Sequence, residues 1–180
     1  MKSVSNQKSG WGYQVNVSKA FRDRADTAAF MEAWVGMVLS RNGLYTLLHP
    51  FTYNDGKDHT HSWDIDVCPD RSMEYPVACE VKSTAHRFTG EADFQDMSGP
   101  NTAFICSAGS YSKKYQNSPY TVREWLMVSK QTGAVVWVPA GSEVMFTEVV
   151  DPQRGPFNGV VVRKEKLRSI VEFVEYVNSR

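Results

Sequence analysis

The sequence predicts an α/β fold: a mixed β-sheet flanked by helices. Three observations carry that expectation. Two segments, one near each end of the chain, repeat apolar residues at helical spacing. Between them lie several short segments with strand character, some alternating apolar and polar residues. The resulting order, helix, strands, helix or loop, strands, helix, suits helices packed on a mixed sheet. The length of 180 residues suits one domain with a core that needs no staples.

The elements follow in chain order. Residues 1–24 hold five basic residues and one acid and read as a basic N-terminal arm, its first dozen residues loose and polar. Residues 25–180 read as the single folded domain. A helix is predicted over residues 26–41, where Phe30, Met31, Trp34, Val35, Met37 and Val38 form a wide apolar stripe. Asp26 or Thr27 caps it, and Asn42-Gly43 stops it. A strand is predicted over residues 44–48 and a polar loop over 53–61. Trp63, Ile65 and Val67 alternate with Asp64, Asp66 and Cys68, which is strand periodicity. After a turn at 69–74, residues 76–83 form the next strand, so 62–83 reads as a hairpin. A short helix is expected near 91–97, a strand over 102–107, and a loop over 108–122. Residues 125–129 and 134–138 flank a turn and form a second hairpin; 159–162 is a short strand. A final helix over 164–178 buries Leu167, Ile170, Val171, Val174 and Val177.

The chain has no apolar run long enough to span a membrane, and its first residues lack the apolar core of a signal peptide. Cys68, Cys79 and Cys106 sit in apolar segments without paired spacing, so they read as buried thiols of a cytoplasmic protein. Net charge is zero, but residues 55–96 hold four bases and ten acids, and 97–130 four bases and one acid. An acidic centre between basic flanks suits a metal in the centre and phosphate at its sides.

The segment CEVKS, residues 79–83, carries the chemistry. Residues two apart on a strand point to one face, so Glu80 and Lys82 lie side by side. Asp64 and Asp66 share a face of the preceding strand. Pairing of the two strands lets Asp66, Glu80 and Lys82 converge. Glu32, one turn before Gly36 on the first helix, is brought near the same edge if that glycine permits close packing. Converging carboxylates repel unless a cation neutralises them, and hard oxygen donors suit Mg2+ or Mn2+. Such an ion activates water and polarises a phosphoryl oxygen, and a lysine beside it steadies the developing charge.

At DIDV and CEVKS the sequence resembles the PD-(D/E)xK, or restriction-endonuclease-like, nuclease superfamily, with Glu80 fourteen residues after Asp66. The resemblance covers residues 26–107. The naming proline is absent before either aspartate, and Asp64 competes with Asp66 for the first role. The resemblance implies an αβββαβ core. It implies Asp66 and Glu80 as metal ligands, with the Val81 backbone carbonyl as a third, Lys82 serving the attacking water, and Glu32 as the inward glutamate of the helix. It further implies a Mg2+- or Mn2+-dependent DNA endonuclease, of the stand-alone phage or mobile-element kind. A structure-directed, resolvase-like enzyme would be a homodimer, because two sites must cut symmetric strands. DNA contacts are assigned to Ser83, Arg87, Tyr111, Lys113 and Lys114, where bases meet phosphate and rings stack.

Rival readings use the same residues. Glu80 and Lys82 also read as an ordinary same-face ion pair, and Glu32 as a solvated helix position. His59, His61, Asp64 and Cys68 lack the paired spacing of structural zinc. The whole domain also reads as a catalytically inactive nuclease-like module that binds nucleic acid or a protein partner.

Overall fold

The computed structural model describes residues 8–9, 12–13, 19–49, 63–112, 123–151 and 155–180, with side chains from residue 27 onward. Lys8–Ser9 (β1) pairs antiparallel with Gly12–Tyr13 (β2). Helix α1, Lys19–Arg41, begins seven residues before the predicted start. Its Met31, Val35 and Leu39 are buried, with Trp34 and Val38 packed against the same core, but Phe30 and Met37 of the predicted stripe are exposed, so the buried face is narrower than the apolar spacing suggests.

Six strands form the main sheet: Tyr45–Leu48 (β3), Ile65–Cys68 (β4), Val77–Thr84 (β5), Glu124–Ser129 (β7), Val135–Val138 (β8) and Arg168–Ser169 (β11). Their spatial order is β11-β8-β7-β5-β4-β3. The 62–83 hairpin is present as β4 and β5, antiparallel, with Ile65 opposite Cys79 and Asp66 opposite Ala78. β7 runs parallel to β5, and β8 returns antiparallel to β7. A smaller antiparallel sheet has the order β6-β10-β9, built from Thr102–Ser107 (β6), Val144–Asp151 (β9) and Gly155–Arg163 (β10). The chain is a mixed α/β fold with few helices.

Side-chain alternation divides the main sheet's two faces between two cores. Ile65, Val67, Val77, Cys79, Val81, Leu126, Val128, Val135 and Trp137 face α1 and the last helix, Ile170–Asn178 (α3). On the other face Trp125, Met127, Val136 and Val138 pack with Ala103 and Ile105 of β6, Val162 of β10, and Phe88 and Phe94 of the connection. The result is three layers: helices, large sheet, small sheet.

Three departures from the sequence reading have physical causes. The helix expected near 91–97 is a series of turns. Asp93 accepts the amides of Thr89 and Gly90, and Asp96 accepts those of Ser98 and Phe104, so each carboxylate bonds backbone flanking the segment and favours turns over a helix. The last helix starts at Ile170, after a 3-10 turn at Lys164–Lys166 and the short β11. Its start is a capping box between Ser169 and Glu172. The loop expected over 108–122 opens with a single helical turn, Ala108–Tyr111 (α2).

Candidate active site

Asp64, just before β4, Asp66 on β4, and Ala78, Glu80 and Lys82 on β5 occupy alternate positions, on the face opposite α1. Asp66 stands opposite Ala78, which makes Glu80 its diagonal neighbour, at about 7–8 Å between such positions. Extending the register by one step sets Asp64 opposite Glu80. There the ladder gives way. The Asp64 amide donates to the Cys79 carbonyl at 2.9 Å, and the Val81 amide donates to Asp64 Oδ2 at 2.7 Å. A strand residue's N–H and C=O point to one edge, so the Val81 carbonyl also faces the β4 side, beside Asp64.

Each carboxylate has its own set of partners. Asp66 is 7% exposed. Its Oδ2 meets His49 Nε2 at 2.7 Å, and its Oδ1 accepts Trp63 Nε1 at 2.7 Å. The His49 and Trp63 rings meet edge to face, with centroids 5.8 Å apart. Glu80 is 1% exposed, and its Oε1 lies 2.5 Å from Lys82 Nζ. Its Oε2 lies 3.8 Å from Nη1 of Arg123, the residue just before β7. A buried carboxylate beside two cations is neutralised locally, as burial demands.

Charge in this region also acts on Cys79, on the opposite face of β5. Burial pushes its thiol well above the ordinary range, and the charges of Glu124, Asp66 and Asp64 add to the rise. Cys68, Cys79 and Cys106 are all buried and free, as the apolar context predicts, and a buried thiol held protonated is a poor nucleophile. Glu124, equally buried, belongs to a different arrangement. It accepts Trp137 Nε1 and the Ala140 amide at 2.7 Å each, and the Tyr176 hydroxyl at 3.0 Å. Those neutral donors tie β7, β8 and α3 together, so Glu124 is structural.

The other sequence-predicted residues are dispersed. Ser83 alternates onto the face opposite Glu80 and Lys82. Glu32 is half-buried on α1, the helix that packs on that same opposite face, so the main sheet lies between α1 and the carboxylates. Gly36 does allow close approach: a Cβ there would sit 3.4 Å from Leu48 Cδ2 and 3.5 Å from Thr46 Oγ1. Arg87 is exposed beyond the end of β5. Tyr111 packs against the second core and edge-on to Phe146. His59, His61, Lys113 and Lys114 lie outside the described residues.

Three neighbours of the carboxylates, His49, Trp63 and Arg123, escape the sequence reading as site residues. Trp63 carries a local signal, three residues before Asp66. Arg123 carries none, because only the parallel β5–β7 pairing sets it beside Glu80.

The oxygen donors on this face are the carboxylates of Asp64, Asp66 and Glu80, with the Val81 carbonyl at its edge. Their chemistry fits a hard divalent ion, which keeps several waters and needs few protein ligands. Among the described residues no group of three or more His, Cys, Asp or Glu side chains is already gathered for an ion. No described helix is long and apolar enough to cross a membrane. Comparison of the chain with protein-family models, with curated proteins and with solved structures finds no match.

Proposed function

We propose that this protein is a Mg2+- or Mn2+-dependent nuclease that hydrolyses DNA phosphodiester bonds as an endonuclease. One observation carries the reading: Asp66, Glu80 and Lys82 share one face of two paired strands, with Glu80 buried and its Oε1 2.5 Å from the Lys82 ammonium. The strand arrangement supports it. β3, β4 and β5 run as an antiparallel meander after α1, and β7 adds parallel to β5, the pattern that αβββαβ requires of its strands. The second helix of that pattern has no counterpart among the described residues of the β5–β7 connection, which holds β6 and the single turn α2 instead.

In this reading Asp66, Glu80 and the Val81 carbonyl hold the ion, with Asp64 as the neighbouring donor. The ion supplies Lewis-acid polarisation of a phosphoryl oxygen and a more acidic water. Lys82 has the access to solvent its role requires: its side chain is 29% exposed while that of Glu80 is 1% exposed. Its ammonium orients the attacking water and offsets negative charge on the phosphate. A homodimer with a structure-directed, resolvase-like specificity extends the same reading.

A second reading is favoured by a specific observation. Both Asp66 oxygens already accept N–H donors, and Glu80 already faces two cations. A nuclease-like module without catalysis, which binds nucleic acid or a protein, would have this self-neutralised face. Incubation with closed circular, duplex, branched and single-stranded DNA under each metal separates the two. The nuclease cuts closed circles, and Lys82→Ala and Asp66→Asn abolish cutting while far-UV circular dichroism stays native. Undiminished cutting by both variants removes the site assignment; no cutting by the wild type under either metal leaves the binding module.

A further inference from the structure

Strand β3 closes one end of the main sheet, and its register sets a second surface beside the carboxylates. Leu47 stands opposite Asp66, and Tyr45 opposite Cys68. Residues directly opposite share a face, with Cα atoms about 4.5–5.5 Å apart, so Leu47 and Tyr45 continue the carboxylate face to the edge of the sheet. Thr46 and Leu48 turn the other way, toward Gly36 of α1. Along β3, Leu47 and Tyr45 lie about 7 Å apart. Leu47 is 53% exposed and Tyr45 40% exposed, whereas their partners Asp66 and Cys68 are buried. The guanidinium carbon of Arg71, exposed in the turn after β4, sits 5.6 Å from the Tyr45 ring centroid. Among the described residues no carboxylate pairs with Arg71. The adjacent Asp70 is turned onto the Ser72 amide and hydroxyl, at 2.8 and 2.6 Å.

Edge strands ordinarily carry charge or proline that discourages contact. β3, Tyr-Thr-Leu-Leu, has neither, and it leaves an apolar side chain and a ring open beside a stacked cation. We propose that Leu47, Tyr45 and Arg71 form a docking track for an unpaired stretch of the DNA strand that enters the candidate site: bases lie on Leu47 and the Tyr45 ring, and Arg71 takes a phosphate. The proposal rests on the nuclease reading, which places the strand's reacting phosphate at the carboxylates. From there the strand crosses Leu47 first and Tyr45 next, because Leu47 is the cross-strand neighbour of Asp66. A ring stacks on any base whose face is open, and a guanidinium neutralises backbone phosphate. Bases inside a duplex have both faces covered, so the track selects unpaired nucleotides. A second copy of the chain is the rival occupant. The exposed parts of these three side chains fall well short of the about 800 Å² per partner that a stable protein interface takes.

Fluorescence anisotropy in metal-free buffer, where nothing is cut, reads the track apart from catalysis. Labelled oligothymidylate and a labelled blunt duplex of equal length are titrated with wild type, Tyr45→Ala and Arg71→Gln, and thermal melts identify which variants are folded. Tyr45→Ala is expected to weaken oligothymidylate binding by about 5- to 150-fold, the range for one lost base stack, with little change for the duplex. Arg71→Gln is expected to lower the slope of log affinity against log salt by about 0.7, the share of one phosphate on a single strand. An arginine that merely packs on Tyr45 would not move that slope. If Tyr45→Ala does not fold, the Arg71→Gln slope decides alone. Wild-type affinity in a folded Tyr45→Ala, or an unchanged slope in Arg71→Gln, overturns the track, and cutting of closed circles by the same wild type keeps the nuclease reading. A wild-type dimer in sedimentation that is lost in a folded Tyr45→Ala assigns the edge to a second copy and also overturns the track. The expected affinities and slope in a wild type that cuts no DNA would keep the docking surface and remove the nuclease reading.

Discussion

Trp63→Phe tests how Asp66 is held. The substitution removes one donor, the indole N–H that meets Asp66 Oδ1 at 2.7 Å. It keeps an aromatic ring for the edge contact with His49 and for the Arg123 guanidinium. Asp66 retains His49 Nε2 on its other oxygen. A hydrogen bond to a charged acceptor contributes about 1.5–3 kcal/mol. Trp63 is half-buried, so water replaces part of what is lost and the lower end applies. The smaller ring removes some packing, about 1 kcal/mol at such a position. The expected cost is therefore about 2–3 kcal/mol, or a fall in melting temperature of about 4–12 °C for a chain of 180 residues. Urea unfolding followed by far-UV circular dichroism measures it. His49→Ala and the double variant complete the cycle. Two donors on one carboxylate are coupled, so the double variant departs from additivity by about 0.5 kcal/mol or more. A Trp63→Phe protein within about 0.5 kcal/mol of wild type, or a strictly additive cycle, would refute the view that both donors fix Asp66.

Two further substitutions probe the frame around the site. Gly133 closes the β7–β8 turn with φ of +74°, and a Cβ there would lie 2.7 Å from Trp34 Cζ2. Gly133→Ala strains the left-handed backbone and displaces Trp34, whose Nε1 donates to the Gly133 carbonyl at 2.8 Å. A loss of about 2–3 kcal/mol in urea unfolding is expected, and an unchanged midpoint contradicts the contact. Glu172 at the start of α3 has its carboxyl held below the ordinary range, first by the Ser169 amide and then by the Ser169 hydroxyl. A lowered folded pKa gives stability that is present above the unfolded value, about 4.3, and is lost as pH falls through the folded value. The stability gap between wild type and Glu172→Ala is thus present at neutral pH and closes on acidification; a gap that persists at low pH counts against the capping box.

The parts of the fold that local pattern governs were legible in the sequence. Alternation at Ile65 and Val67 marks the β4–β5 hairpin, and the spacing of Met31 and Val35 marks α1. Strand β9 was missed. It is an edge strand whose residues 146–148 are all exposed and in which only Val149 is buried, so no regular alternation marks it. β10 was seen only over its buried centre, residues 159–162. The capping box Ser169-x-x-Glu172 was present as a local signal and would have moved the last helix to its true start.

The site divides along the same line. Asp66, Glu80 and Lys82 are joined by a hairpin, and residues joined by a hairpin can be placed together from spacing alone. Arg123 and His49 reach the carboxylates through β7 and β3, whose pairing with β5 and β4 is a tertiary fact. Glu32 marks the limit of such reach. Helical spacing placed it near Gly36 but could not say which face of the sheet the helix would cover, and α1 covers the face without the carboxylates.

Calorimetric titration of the metal-free protein with Mn2+, repeated on Glu80→Gln, bears most directly on the metal-dependent chemistry assigned to this face. Saturable binding by the wild type that disappears in a folded Glu80→Gln is the predicted result. Equal heats from both proteins, or none from either, would mean that the buried carboxylate serves its two cations and nothing else.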